Sequence, residues 1–301
     1  MERGLVERPL ERFARRGRSG RDMLPAMTSP LAAPGSWDLV APTYSAELVP
    51  RFEHYAREAL RLAALAPGAR IVDVAAGPGT LSVLAARAGH SSAALDFSPK
   101  MVAELRARIE RVERVEMEGL ASRIEPREGD GMALPYEDAS FDAGFSMFGL
   151  IFFPDRDRGF RELLRVVKPG APVVVSSWQP LERVVFLDAA ITAMTELLPP
   201  PPNTPPYDPP LTTRERCRDE MSRAGFRDVE VHEVTFAMPP MTPTDAWSFL
   251  ERTTAPIVLR RKALGEKWTA ISSAIRDKLR AKFGDAPLTY DMPAYLTVGR
   301  R

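Results

Sequence analysis

The chain holds 301 residues, 45% of them hydrophobic and 27% charged, with a formal net charge of +1. That length suffices for one large domain whose core needs neither disulfides nor metals. The near-zero charge argues against a nucleic-acid partner, the lone Cys217 excludes an internal disulfide, and no apolar run reaches the roughly 20 residues of a membrane span.

Residues 1 to about 27 stand apart. Met1 to Asp22 holds seven arginines against three glutamates and one aspartate. With so few apolar residues this stretch is expected to be a disordered tail. An upstream start codon, with Met23 or Met27 as the working start, and an Arg-rich leader peptide are the other readings. The N-terminus lacks a signal-peptide core, so the cytoplasm is the expected location. Residues 28–301 read as one domain.

Apolar residues at helical spacing predict a helix over 44–65, ended by Pro67-Gly68. A strand is expected at 70–74, a helix at 80–88, a second strand at 93–96 and a helix from Ser98. A weak third strand at 123–125 precedes a fourth at 141–148, a helix at 155–167 and a fifth strand at 171–177. This alternation implies a parallel sheet with helices on both faces. Beyond Trp178 the pattern loosens. A helix over 181–198 leads into a segment with eight prolines between Pro199 and Pro210, read as an extended loop. A helix over 213–224, a strand at 228–236, helices within 243–283 and a last strand at 294–298 complete the chain.

The segment Ile71-Val72-Asp73-Val74-Ala75-Ala76-Gly77-Pro78-Gly79-Thr80 carries the main signal. A buried strand ends in small residues and a helix starts at once. The backbone there can approach a ligand closely, and the helix N-terminus offers free amides. Asp96, ending the second strand, is placed to accept bonds from ribose hydroxyls. Asp130-Gly131-Met132, after the third strand, could meet an exocyclic amine and a ring nitrogen. Each feature alone has a plainer reading: a tight turn, a helix cap, a turn residue. Three such features at consecutive strand ends describe a nucleoside pocket. Ser82 stands where the dinucleotide fingerprint has its third glycine, which does not by itself exclude nicotinamide–adenine dinucleotide (NAD).

These residues resemble class I S-adenosylmethionine (SAM)-dependent methyltransferases. The likeness runs from Asp73-Val-Ala75-Ala-Gly77-Pro-Gly79 through Leu95-Asp96-Phe97-Ser98-Pro99-Lys100-Met101 and Asp130-Gly131-Met132-Ala133-Leu134-Pro135. It continues to Phe141-Asp142 and to the stretch from Arg161 to Gly170. The most similar subgroup is the ubiquinone/menaquinone-biosynthesis methyltransferase-like proteins. The resemblance implies an α/β, Rossmann-like, doubly wound seven-stranded sheet with an antiparallel last strand. Helical lid insertions are then expected at about 181–224 and 238–290.

It further implies SAM as cofactor. Asp73, Ala75, Gly77 and Gly79 would hold its methionine part, with Ser146 below it. Asp96, with Phe97 and Met101, would serve the ribose end, and Asp130, Gly131 and Met132 would frame the adenine. Ala75 departs from the family's frequent glycine. Tyr44 and Trp37 would pack over the cofactor, or else belong to the core of a cap. Methyl transfer from a sulfonium is an in-line displacement that needs alignment and dryness rather than a metal, and no metal-ligand spacing is seen. His54, on the helix expected to cover the cofactor, is the candidate general base, against the plainer reading of an exposed helix histidine.

The acceptor is expected to be a small molecule with apolar character. It would be met by Met147, Phe148, Leu150, Phe152, Phe153, the proline loop, Trp247, Phe249, Leu250 and Trp268, or these residues simply pack the lid. Asp208-Pro209-Pro210 resembles a motif of amino-methylating nucleic-acid enzymes but lies in the wrong place, after strand five. Alternatives are a quinone-ring C-methyltransferase, a non-catalytic SAM-binding sensor or scaffold, and an NAD-dependent oxidoreductase. The oligomeric state is open.

Overall fold

The structure, a computed structural model, describes residues 29–200 and 208–301. The expected N-terminal tail and most of the proline segment lie outside the described residues. The described part begins with two short helices, α1 (Pro34–Asp38) and α2 (Ala41–Thr43). A wide π-type turn over Tyr44–Leu48 then leads into α3 (Val49–Ala63). The alternating part follows: β1 (Arg70–Val74), α4 (Thr80–Arg87), β2 (Ser91–Asp96), α5 (Pro99–Val115), β3 (Ile124–Glu128), β4 (Ala143–Ser146), α6 (Arg156–Val166) and β5 (Pro172–Trp178). The chain ends with α7 (Val185–Leu197), α8 (Arg214–Arg223), β6 (Arg227–Ala237), α9 (Pro243–Thr253), α10 (Ala255–Leu264), α11 (Lys267–Phe283) and β7 (Asp291–Arg300).

The seven strands order as β3-β2-β1-β4-β5-β7-β6. Strands β1 to β5 pair in parallel, and β7 runs antiparallel to both β5 and β6. The expected doubly wound sheet with an antiparallel last strand is therefore present. From β1 the chain first winds outward to β2 and β3, then returns to β4 on the other side. The strand order reverses between β1 and β4, and in such sheets the crevice beyond the strand ends is the place for a ligand.

Local sequence explains the elements. β1, β4 and β5 are buried almost throughout because helices cover both faces. Ser98 caps α5, its hydroxyl accepting the Met101 amide at 3.1 Å, and Pro99 takes the first helical position, where a missing amide costs nothing. Thr242 and Pro243 start α9 in the same way. The expected helix over 44–65 is interrupted because Tyr44–Leu48 widens the turn just before Pro50.

The later elements divide differently from the sequence expectation. Helix α8, inside the expected lid span 181–224, packs on the sheet: Cys217 and Met221 are buried with Phe160, Leu163 and Tyr295. The lid proper is a second core built from α7, α9 and α11, with Phe186, Ala190, Trp247, Phe249, Ile275 and Leu279 buried together. Glu251 is buried there, accepting bonds from Trp268 Nε1 at 2.7 Å, Ser272 Oγ at 2.5 Å and Arg276 at 2.8 Å. Among the described residues no helix is long and apolar enough to cross a membrane.

Candidate active site

A cavity of about 280 Å³ opens beyond the tips of β1, β2 and β4 and runs under the lid. Its first half is made by the strand tips. Gly79, the residue before α4, sits in the left-handed region (φ 74°), and a β-carbon there would overlap the Leu105 side chain, so the turn requires glycine. The Gly77 amide donates to Asp96 Oδ2 at 2.8 Å, and the Ser98 amide donates to Asp96 Oδ1 at 2.9 Å. Asp96 thus ties the glycine loop to the start of α5 while lining the cavity. Burial pushes its carboxyl up to about 6 against those amide bonds, with the Asp38 charge adding to the rise.

Asp73 lies deeper. Burial pushes its carboxyl up to about 7, against the pull of the Ser82 hydroxyl, which donates to it at 2.7 Å. With Ala75, Gly77 and Thr80 it lines a small annex to the cavity, closed on the other side by Tyr44 and Phe52. Asp130 is exposed and accepts the Met132 amide at 2.8 Å. It lines the cavity with Gly131 and Met132. Phe97 and Met101 line the same end, as does Tyr44, whose hydroxyl burial makes harder to ionise. Ser146 is fully buried, and its Oγ has no hydrogen-bond partner among the described residues.

The N-terminal cap closes this end. Trp37 is held by a bond from its Nε1 to the Leu31 carbonyl at 2.9 Å and by an edge contact with Phe152 at 4.9 Å. Asp38 accepts the Ser98 hydroxyl at 2.6 Å, linking the cap to α5. Sequence reasoning missed Asp38, because only the fold brings it to a helix start some sixty residues on.

Two residues here hold backbone conformations that side chains disfavour. Ala75 has φ 58° and Phe148 has φ 56°. For a bulky residue such as Phe148 this is strain, and strain held by its surroundings is found at functional sites. The surroundings are visible: the Phe148 amide donates to Ser176 Oγ at 2.8 Å, and its ring stacks on Trp178 at 4.1 Å. The Ala75 methyl packs where a β-carbon on Gly149 would overlap it. Alanine replaces the family's frequent glycine at 75 because residue 149 supplies the missing space.

The second half of the cavity is aromatic. Phe52, Tyr55, Phe148, Trp178, Phe236 and Tyr290 line it, with methionines and Leu250 filling between them. Tyr55 donates its hydroxyl to the Met292 carbonyl at 2.5 Å. Burial pushes the Tyr290 hydroxyl up to about 12, with the Arg51 charge pulling the other way. Of the residues expected to face an acceptor, Met147, Phe148, Phe152, Phe153, Phe249 and Leu250 line the cavity. Leu150 is buried in the main core, and Trp247 and Trp268 are buried in the lid, so they pack rather than contact a ligand.

His54 is a correction. It is exposed on α3 and is not among the cavity-lining residues. Phe52 and Tyr55 face inward, and a residue two after Phe52 is turned some 200° from it on a helix. The other histidines are no better placed. His90, expected on the surface, is buried before β2, where burial lowers its pKa, and His232 sits beside Glu230 at 3.3 Å on β6. Asp208 pairs with Arg216 at 2.6 Å, away from the cavity. No cluster of metal-ligating side chains occurs among the described residues.

With this geometry in hand, comparison with known proteins is informative. Residues 72–175 match the model of a methyltransferase domain. The chain is 35% identical over 116 residues to an uncharacterised protein of Mycobacterium tuberculosis (strain ATCC 25618 / H37Rv), covering 38% of this chain and 39% of that one. It is 35% identical over 147 residues to a demethylmenaquinone methyltransferase of Parafrankia sp. (strain EAN1pec), covering 44% of this chain and 58% of that one. In fold it is similar to the solved YcgJ protein of Bacillus subtilis, with 16% identity, a TM-score of 0.54, and coverage of 82% of this chain and 98% of that one.

Residues 72–175 carry a methyltransferase domain, and the chain is similar in motif and fold to class I SAM-dependent methyltransferases. Over part of its length it is related to demethylmenaquinone methyltransferases. It spans only 39% and 58% of the lengths of the two curated relatives, and the matched domain model ends at residue 175, before the lid.

Proposed function

We propose that the chain binds SAM at the strand-tip end of the cavity and transfers its methyl group to a small acceptor held in the aromatic chamber. One observation carries this reading: a single cavity joins the Gly77–Asp96 loop to a chamber walled by Tyr55, Phe148, Trp178 and Phe236. The residues present fit the cofactor. Asp96 keeps acceptor capacity on both oxygens for hydroxyls, and the annex beside Asp73 suits a charged tail. SAM, when bound, supplies a methyl group already activated on a sulfonium.

The chain's own residues do the rest. Asp96 and the loop amides fix the nucleoside end, while Tyr44 and Trp37 cover it. Phe148 and Trp178 present a flat, dry wall to the acceptor, which excludes water and restricts its orientation. Among the described residues no histidine lines the cavity; its titratable lining is Arg51, Asp96, Asp130 and tyrosines.

Calorimetry with SAM, S-adenosylhomocysteine (SAH) and NAD tests the cofactor. SAM and SAH are expected to bind at micromolar levels and NAD not at all; the reverse order would replace this reading with an oxidoreductase. Transfer of tritiated methyl into a small-molecule extract then separates an enzyme from a sensor.

A quinone ring is the acceptor the relatives favour, since several are named demethylmenaquinone methyltransferases. The aromatic chamber accommodates a flat ring. Incubation with reduced 1,4-naphthoquinone should yield a product heavier by one methyl, on ring carbon. A product methylated on oxygen would move the assignment to phenol chemistry.

A further inference from the structure

We propose that the acceptor carries an anionic oxygen, a carboxylate or a phenolate on a flat apolar body, and that the Arg51 guanidinium receives it. The proposal deepens the methyl-transfer reading and rests on it for the word acceptor. Its physical basis is separate.

Arg51 lies in the first turn of α3 and is the one cationic side chain among the described residues that line the cavity. Its Cζ sits over the Phe249 ring, 4.6 Å from the ring centre, so the guanidinium is in cation–π contact with the chamber wall. One terminal nitrogen donates to the Glu47 carbonyl, a turn earlier. Its Nε is buried and has no hydrogen-bond partner among the described residues. A guanidinium offers five donors in a planar fork that matches an anionic oxygen pair, and this one uses few of them.

Among the described residues no carboxylate pairs with Arg51. Glu47, the nearest along the helix, is held from the other side by Arg252, through bonds of 2.7 and 2.9 Å. The cavity-lining carboxylates are Asp96 and Asp130, both at the strand-tip end. Tyr290 lines the same cavity as Arg51 and offers a hydroxyl that could donate a second bond to the same anion. Arg51 is half-buried, and a cation held partly out of water without a counter-charge is costly, a cost that contact with an aromatic face offsets only in part. The remainder is recovered when an anion enters. The apolar walls favour a flat body, and the cation fixes which edge of it faces Arg51.

Binding to the full chain, read by quenching of tryptophan fluorescence, tests this in two arms. The first compares 2-naphthoate with neutral 2-naphthamide, and the second compares 4-nitrophenolate with 4-nitroanisole, each with and without saturating SAH. The anion is expected to bind at least tenfold more tightly than its neutral partner in one arm or both. That arm reports whether a carboxylate or a phenolate is the favoured group. Arg51→Met should erase the preference and Arg51→Lys should keep part of it, with the Kd for SAH unchanged in both variants as the check on folding. Equal binding of each pair, no binding of any anion, or a preference that survives in Arg51→Met overturns the proposal. Failure of SAH to bind at all would instead overturn the cofactor reading, while the anion preference stays readable in the cofactor-free chain.

Discussion

The two ends of the cavity are built by different means. The strand-tip end is mostly backbone and short side chains, drawn from loops that follow β1, β2 and β3 and fixed by hydrogen bonds such as Gly77 to Asp96. The chamber is mostly large side chains, drawn from α3, β5, β6, α9 and the approach to β7, and fixed by packing such as Phe148 on Trp178. A backbone-built site tolerates little change in its glycines and acids, because each performs a geometric task. A side-chain-built chamber can be repacked without disturbing the sheet, so one scaffold can serve different acceptors.

Mutations at the two ends test this contrast. The largest effect is expected at Asp96. Asp96→Ala frees two backbone amides and removes the proposed ribose acceptor, and should weaken SAM binding at least 100-fold, about 2.7 kcal/mol, by calorimetry. Glu251→Ala should act on the other half alone. Loss of a buried carboxylate that holds three donors should loosen the lid by roughly 2–3 kcal/mol, seen as faster amide exchange in α9 and α11 with SAM affinity retained. If SAM affinity fell equally, the two halves would not be independent.

The junction between the halves gives a sharper test. Gly149→Ala should cost about 1–3 kcal/mol of stability by overlap with the Ala75 methyl, and adding Ala75→Gly should recover most of it. Additive losses in the double variant would disprove the coupling.

A smaller effect concerns pH. Burial raises Asp73 to about 7 and Asp96 to about 6, above the values they would have unfolded. The stability tied to these groups is therefore full below about pH 4 and is lost as pH rises through 6 and 7. Asp73→Asn has no such loss at that position, so its melting temperature relative to the parent should climb between pH 5 and pH 8. A constant difference would show Asp73 to be ionised throughout. The smallest effect is at His54, exposed on the outer face of α3, where alanine should leave methyl transfer within about twofold.

The strand-tip end was readable in the sequence because its parts are local. A strand, a small-residue turn and a helix start occupy ten consecutive positions, and an acid at the next strand end falls at a fixed distance. The chamber was half readable. Met147, Phe148, Phe152 and Phe153 follow β4 directly and do line the cavity, whereas Trp247 and Trp268 were drawn to the site by their type alone and are instead buried in the lid core. His54 was chosen for its chemistry, but the widened turn before α3 helps set which face of that helix looks inward, and composition does not report a helix rotation. Arg51, three residues away, could have been found by asking which polar residue shares a face with Phe52 and Tyr55.

Sequence alone indicated the alternating parallel part of the sheet and the loop at its centre, because hydrophobic periodicity and small residues act over short spans, while the doubly wound order followed only from the family resemblance. Only the tertiary structure decided that α8 braces the sheet rather than the lid, that Gly149 makes room for Ala75, and that an arginine ends in an aromatic chamber without a carboxylate. These depend on distances between residues far apart in the chain, and those distances exist only once the core has closed.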